Sequence, residues 1–60
     1  MEYEYTALIH KTNGQNLAME FSDPDIFMWS MKDAREFVVW ARLFESKTGI
    51  EVASFEGGTE

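Results

Sequence analysis

Residues 30–49, SMKDAREFVVWARLFESKTG, decide the fold. Projected at about 100° per residue, Ala34, Phe37, Val38, Ala41 and Phe44 form one apolar stripe, as an amphipathic helix requires. Ser30-Met31-Lys32-Asp33 resembles a capping box with Asp in place of Glu. Asp33 and Glu36 fall early in the stretch, and Arg42 and Lys47 fall late, which complements a helix macrodipole. Gly49 follows Thr48 as a left-handed stop. The spacing predicts a helix over 31–47.

The residues before it read as a hairpin. EYEYTALIH (2–10) alternates, with Tyr3, Tyr5, Ala7 and Ile9 on one face and Glu2, Glu4, Thr6, Leu8 and His10 on the other. NLAMEF (16–21) alternates too, and KTNGQ lies between them as a turn signal. A two-residue Asn13-Gly14 loop would split the large apolar residues between two faces. A three-residue loop, Thr12-Asn13-Gly14, pairs Ile9 with Leu17, Ala7 with Met19 and Tyr5 with Phe21, which unites them. That loop is a type I turn closed by a left-handed Gly, so Gly14 is where the geometry needs it. Ser22-Asp23-Pro24-Asp25 is either a helix start, with Asp23 as N-cap and Pro24 first in the helix, or a turn. Residues 24–29 are expected to be a short helical turn or irregular crossing, with Ile26, Phe27 and Trp29 over an edge of the core. IEVASF (50–55) reads as the last strand, with Ile50 and Val52 inward and Glu51 outward.

The expected fold class is therefore α+β: a three-stranded antiparallel sheet, β-β-α-β in order 2-1-3, with one helix packed on one face. Residues 1–56 form the single small domain and 57–60 a loose tail. Sixty residues allow no more than this, and the hydrophobic fraction of 45% is that of a folded globule. A chain so short buries only roughly 60% of the surface that it exposes when unfolded, so its core is marginal.

Composition narrows the chemistry. The absence of cysteine excludes a disulfide, a thiolate zinc site and a cysteine nucleophile. A single histidine, His10, builds no histidine-based metal site. The serines have no histidine and acid in evident reach, and no glycine-rich loop opens a helix to cradle phosphate. No enzyme, metal or cofactor is expected. The start MEYEY lacks the basic and apolar regions of a signal peptide, and no apolar run approaches the roughly 18 residues of a membrane span, so the expected location is cytoplasmic.

Eleven acidic against five basic residues give a formal charge of −6. Phosphate backbones and anionic membranes are disfavoured as partners, and a protein with a basic, nucleic-acid-binding surface is favoured. Two surfaces stand out. The outer sheet face carries Glu2, Glu4, Glu20 and Glu51, a row that Asp23, Asp25 and Glu56 extend and that imitates, sparsely, a nucleic-acid backbone. The helix exterior carries Lys32, Arg35, Val39, Arg42 and Leu43 with Trp40 at its border, an apolar ridge with basic flanks. In size, acidity and lack of cysteine, the chain resembles phage-encoded anti-defence inhibitors of anti-CRISPR and anti-restriction type as a class. The resemblance rests on composition and coarse architecture, and it implies an inhibitor of a nucleic-acid-handling host complex. The alternative is a structural or regulatory adaptor that homodimerises through its helix. A third reading, single-strand nucleic-acid binding through Lys32, Arg35 and Arg42, runs against the net charge.

Overall fold

The computed structural model describes residues 4–57. It comprises β1 (Tyr5–Lys11), β2 (Asn16–Phe21), α1 (Pro24–Asp33), a 3₁₀ turn (Arg35–Phe37), β3 (Val38–Glu45) and β4 (Glu51–Glu56). The class is α+β with one helix and an antiparallel sheet. The sheet has four strands in the order β2-β1-β3-β4, one more than expected.

The first hairpin forms in the expected register: Tyr5 opposite Phe21, Ala7 opposite Met19 and Ile9 opposite Leu17. Gly14 adopts φ 90°, and its N–H donates to the Lys11 carbonyl at 3.0 Å while Lys11 N–H donates to Gln15 at 2.8 Å. Asn13 Oδ1 accepts from Gln15 N–H at 2.9 Å and fixes the turn from the side-chain direction.

The helix begins at the earlier of the two candidate starts. Asp23 is the N-cap, its carboxylate accepts from Asp25 N–H at 2.7 Å, and Pro24 occupies the first turn. Ser30 lies inside this helix, so the box at 30–33 opens nothing. The expected helix over 31–47 is not formed. The chain leaves α1 at Ala34, makes one 3₁₀ turn and extends. The physical reason lies in Phe37-Val38-Val39-Trp40. Four consecutive β-branched or aromatic residues are poor helix formers and fit a pleated surface. From Trp40 onward the pattern has period two, with Ala41 and Leu43 buried and Trp40, Arg42 and Phe44 on the other face. Pairing decides the matter: β3 is a central strand, bonded to β1 on one side and β4 on the other, so its backbone groups are satisfied in two ladders.

The last strand, expected over 50–55, is observed at Glu51–Glu56 and pairs with β3 rather than β1. Gly49, expected to stop a helix, turns the β3–β4 hairpin instead. Its φ is 75°, its N–H donates to Glu45 at 2.7 Å, and Glu45 N–H donates to Ile50 at 2.9 Å. The chemistry of a left-handed glycine is the same in both roles. Gly57 is tied to the sheet through its N–H to Val39 at 3.0 Å, and the remainder of the expected tail lies outside the described residues.

One face of the sheet meets α1. Phe27 and Met31, one helical turn apart, pack on Ala7, Ile9, Phe21, Val38, Ala41 and Leu43. Phe21 and Phe27 meet edge to face at 5.5 Å. Ten residues of helix span about 15 Å, and α1 connects the end of β2 to the 3₁₀ turn before β3 while touching β2, β3 and β4. Leu17 and Met19, on the helix side as expected, are left 44% and 41% exposed at the β2 edge. No helix among the described residues is long and apolar enough to cross a membrane.

Candidate functional site

Among the described residues, no element covers the sheet face opposite α1. Alternation places Thr6, Leu8 and His10 of β1 there, with Asn16, Ala18 and Glu20 of β2, Trp40, Arg42 and Phe44 of β3, and Ser54 and Glu56 of β4. The register brings His10 opposite Trp40, Leu8 opposite Arg42 and Thr6 opposite Phe44.

A continuous line of side chains crosses the face. Asn16 Oδ1 accepts from His10 Nδ1 at 2.7 Å. The His10 ring stacks on Trp40 with centroids 5.6 Å apart and planes 19° from parallel. The Arg42 guanidinium carbon lies 5.4 Å from the Trp40 ring centre, and Arg42 reaches Glu51 at 3.9 Å. That ion pair is too exposed and too long to add more than about 1 kcal/mol. Cross-strand pairs contribute roughly 0.2–1 kcal/mol each and an exposed cation–π contact about 0.5–1 kcal/mol, so the line holds these rings and the guanidinium in place. Thr6 and Ser46 hydroxyls bond at 2.9 Å along its border.

Trp40 stands between two open hollows. One, of about 410 Å³, lies towards β2 and is lined by Leu8, Asn16, Ala18 and Trp40. The other, of about 420 Å³, lies towards β4 and is lined by Trp40, Arg42, Glu51, Ser54 and Glu56. The first is mainly apolar. The second combines one guanidinium with two carboxylates.

The residues expected to act on the surface are redistributed. Glu4, Glu20 and Glu51 are exposed, and Glu20 lies on the open face as expected; Glu2 lies outside the described residues. Asp23 and Asp25 belong to the helix N-terminus, where Asp23 is engaged as the cap. The expected helix ridge does not exist, because its members lie on three different elements. Lys32 lies in the last turn of α1, Arg35 opens the 3₁₀ turn, and Val39, Trp40, Arg42 and Leu43 are strand residues. Leu43 is fully buried in the core and touches no solvent. Val39 occupies an irregularity in the β1–β3 ladder, where Lys11 pairs with Val38 and His10 with Trp40. Trp40 and Arg42 are surface residues as expected, but on the sheet. Phe44 was expected in the core stripe of the helix and lies on the open face instead, because in a strand it shares that face with Trp40 and Arg42; Leu8 lies on the outer face as its alternation implied, and Asn16 was not singled out. The signal for Phe44 is the spacing Trp40-x-Arg42-x-Phe44, which puts two aromatics and a cation on one face of a strand.

Among the described residues, no cluster of three or more His, Asp or Glu side chains is placed to hold a metal ion. Comparison with protein-family models, with curated proteins and with solved structures finds no match to this chain.

Proposed function

We propose that this chain is a small acidic inhibitor that acts by binding a protein, and that its contact surface is the open sheet face centred on Trp40. The observation that carries the reading is the Asn16–His10–Trp40–Arg42 line with Leu8 and Phe44 beside it, rimmed by Glu4, Glu20, Glu51 and Glu56. Trp and Arg dominate contact hot spots, and a polar rim around an apolar centre is how protein interfaces are built. The charge of −6 favours a target with a basic surface. An enzyme or complex that handles nucleic acid has one, and the proposed effect is to block it, as phage-encoded anti-CRISPR and anti-restriction inhibitors do.

The test is capture by the tagged chain from nuclease-treated lysate, followed by assay of each captured nuclease or nucleic-acid-binding enzyme with added protein. The reading expects a basic target whose activity falls, with the effect lost in Trp40→Ala/Phe44→Ala and weakened when Glu20, Glu51 and Glu56 become Lys. Captured enzymes that work unimpaired, or inhibition that survives both variant sets, would reject it.

A further inference from the structure

We infer that two copies of this chain associate edge to edge through β2, antiparallel and centred on Ala18, into one eight-stranded sheet. The inference is independent of the function proposed above: it uses the backbone edge and helix-side side chains of β2, whereas that function uses the open-face side chains, including those of Asn16 and Glu20.

The backbone supplies the first argument. Lys11 N–H donates to Gln15 at 2.8 Å, which makes Lys11–Gln15 a hydrogen-bonded pair of the hairpin. Bonded pairs recur at every second position of an antiparallel ladder, so Ile9–Leu17, Ala7–Met19 and Tyr5–Phe21 are bonded too. Asn16, Ala18 and Glu20 then direct their N–H and C=O groups away from β1. No described strand lies beyond β2 to receive them. The row is six residues long and free of proline, lysine and bulges. The other edge of the sheet is blunted: β4 carries a ladder irregularity opposite Leu43/Phe44 and a glutamate at each end.

The side chains supply the second. Leu17 and Met19 stand on the helix side of this edge, and α1 leaves both more than two-fifths exposed. A two-fold axis at Ala18 sets Leu17 of each copy opposite Met19 of the other, as non-bonded pairs whose side chains lie close. Both exposed residues are then covered by apolar neighbours.

Charge fixes the register. With the axis at Ala18, Glu20 faces Asn16 of the second copy, and the two Glu20 carboxylates are four strand positions apart, about 13 Å. An axis at Met19 would satisfy the backbone equally but would place the two Glu20 residues on a diagonal about 7 Å apart. The remaining opposition is the long-range repulsion of two chains of charge −6, which salt screens.

The chain's lack of cysteine makes the test direct. Bonded partners at a two-fold axis have Cα atoms about 5.5 Å apart, inside the disulfide range of roughly 4.4–6.8 Å. Ala18→Cys is expected to give a cross-linked dimer on mild oxidation, and Glu20→Cys is not. In sedimentation equilibrium, the mass of the cysteine-free chain should rise from 7.0 kDa to twice that with concentration, and more readily at high salt. Ala18→Pro removes an N–H that the monomer does not use and should remain monomeric with unchanged circular dichroism. Leu17→Lys, at an exposed site, is the second variant should the proline perturb the strand. A monomer at every concentration without preferential Ala18→Cys cross-linking overturns the inference. So does a dimer that survives both Ala18→Pro and Leu17→Lys, or one that cross-links through Ser54→Cys on β4 instead.

Discussion

His10 on β1 and Trp40 on β3 are register partners whose rings stack at 5.6 Å, and this pair is the midpoint of a line of contacts that reaches all four strands. Asn16 on β2 holds the histidine, and Arg42 carries the line across Trp40 to Glu51 on β4. Each side chain is restrained by a neighbour on an adjacent strand or two positions along its own strand. Groups already ordered in the free protein lose less entropy on binding, so a surface built this way suits a docking role.

Trp40→Ala should therefore act on stability and binding to different extents. It removes one stacked cross-strand pair and one cation–π contact, together about 1–2 kcal/mol of folding stability. His10→Ala removes only the stack and should cost less. A double-mutant cycle between them, read by urea denaturation, should give a coupling of about 0.5–1 kcal/mol. Binding to a captured target should fall further, by the 2 kcal/mol or more of a hot-spot residue, or about thirtyfold. Equal and small losses in both measurements would make Trp40 a structural residue only.

Leu43 and Leu8 separate the strand assignment of 38–45 from the helical one. Leu43 is fully buried, whereas Leu8 is 47% exposed on the open face. Leu43→Ala should cost about 2–5 kcal/mol, against a total stability of about 3–9 kcal/mol for a chain of this length. Leu43→Glu should abolish the fold, as seen by loss of near-ultraviolet circular dichroism. Leu8→Glu should leave the fold intact. A folded Leu43→Glu protein would restore the exterior ridge that the sequence suggested.

Asp23 reports on where the helix begins. Its carboxylate satisfies Asp25 N–H at 2.7 Å, so Asp23→Ala should destabilise by about 1 kcal/mol, while Asp23→Asn and Asp23→Ser should be close to neutral. Ser30→Ala, within the helix rather than at its cap, should change stability little. The reverse ranking in thermal melts would move the helix start to Ser30.

The hairpin was legible because its information is local: one turn glycine and an alternation in which a single-residue slip would scatter the apolar set. The left-handed glycines at 14 and 49 were also legible as turn-formers, although Gly49 ends a strand where a helix end was expected. Residues 38–45 misled because the solvent side of this strand is also partly apolar. Phe44, a large apolar group on the solvent side of β3, completed with Val38 and Ala41 a period of 3.6 that the period-two pair Ala41 and Leu43 alone would not have suggested. A solvent-side face that carries large apolar groups makes a half-exposed strand read as if it were apolar on both sides. The open-face site was therefore legible in its acidic members Glu4, Glu20, Glu51 and Glu56 and in Trp40 and Arg42 as exposed residues, but not as one assembled surface. Its assembly depends on β3 lying beside β1, a long-range pairing that no local pattern encodes.

Gly14 and Gly57 should respond to the same substitution by different physics. At Gly14 the space is open, with nothing within 4 Å of an added Cβ, but φ is 90°. Gly14→Ala should then cost about 1–2 kcal/mol of left-handed strain, and Gly14→Asn should recover much of it because Asn tolerates that region. At Gly57 an added Cβ would sit 2.0 Å from the Val38 carbonyl oxygen, a backbone atom with no freedom to move aside. Gly57→Ala must push the end of β4 away and break the Gly57 N–H bond to Val39. Gly57→Asn should be no better, since the obstacle is volume rather than torsion. Hydrogen exchange distinguishes the two cases. Gly57→Ala should speed exchange at the 53–57 end of β4 while the β1–β2 amides keep their protection, and Gly14→Ala should lower protection throughout by lowering global stability. Rescue of Gly57→Ala by an Asn at the same position would show that the close approach to Val38 is not what holds the end of the sheet.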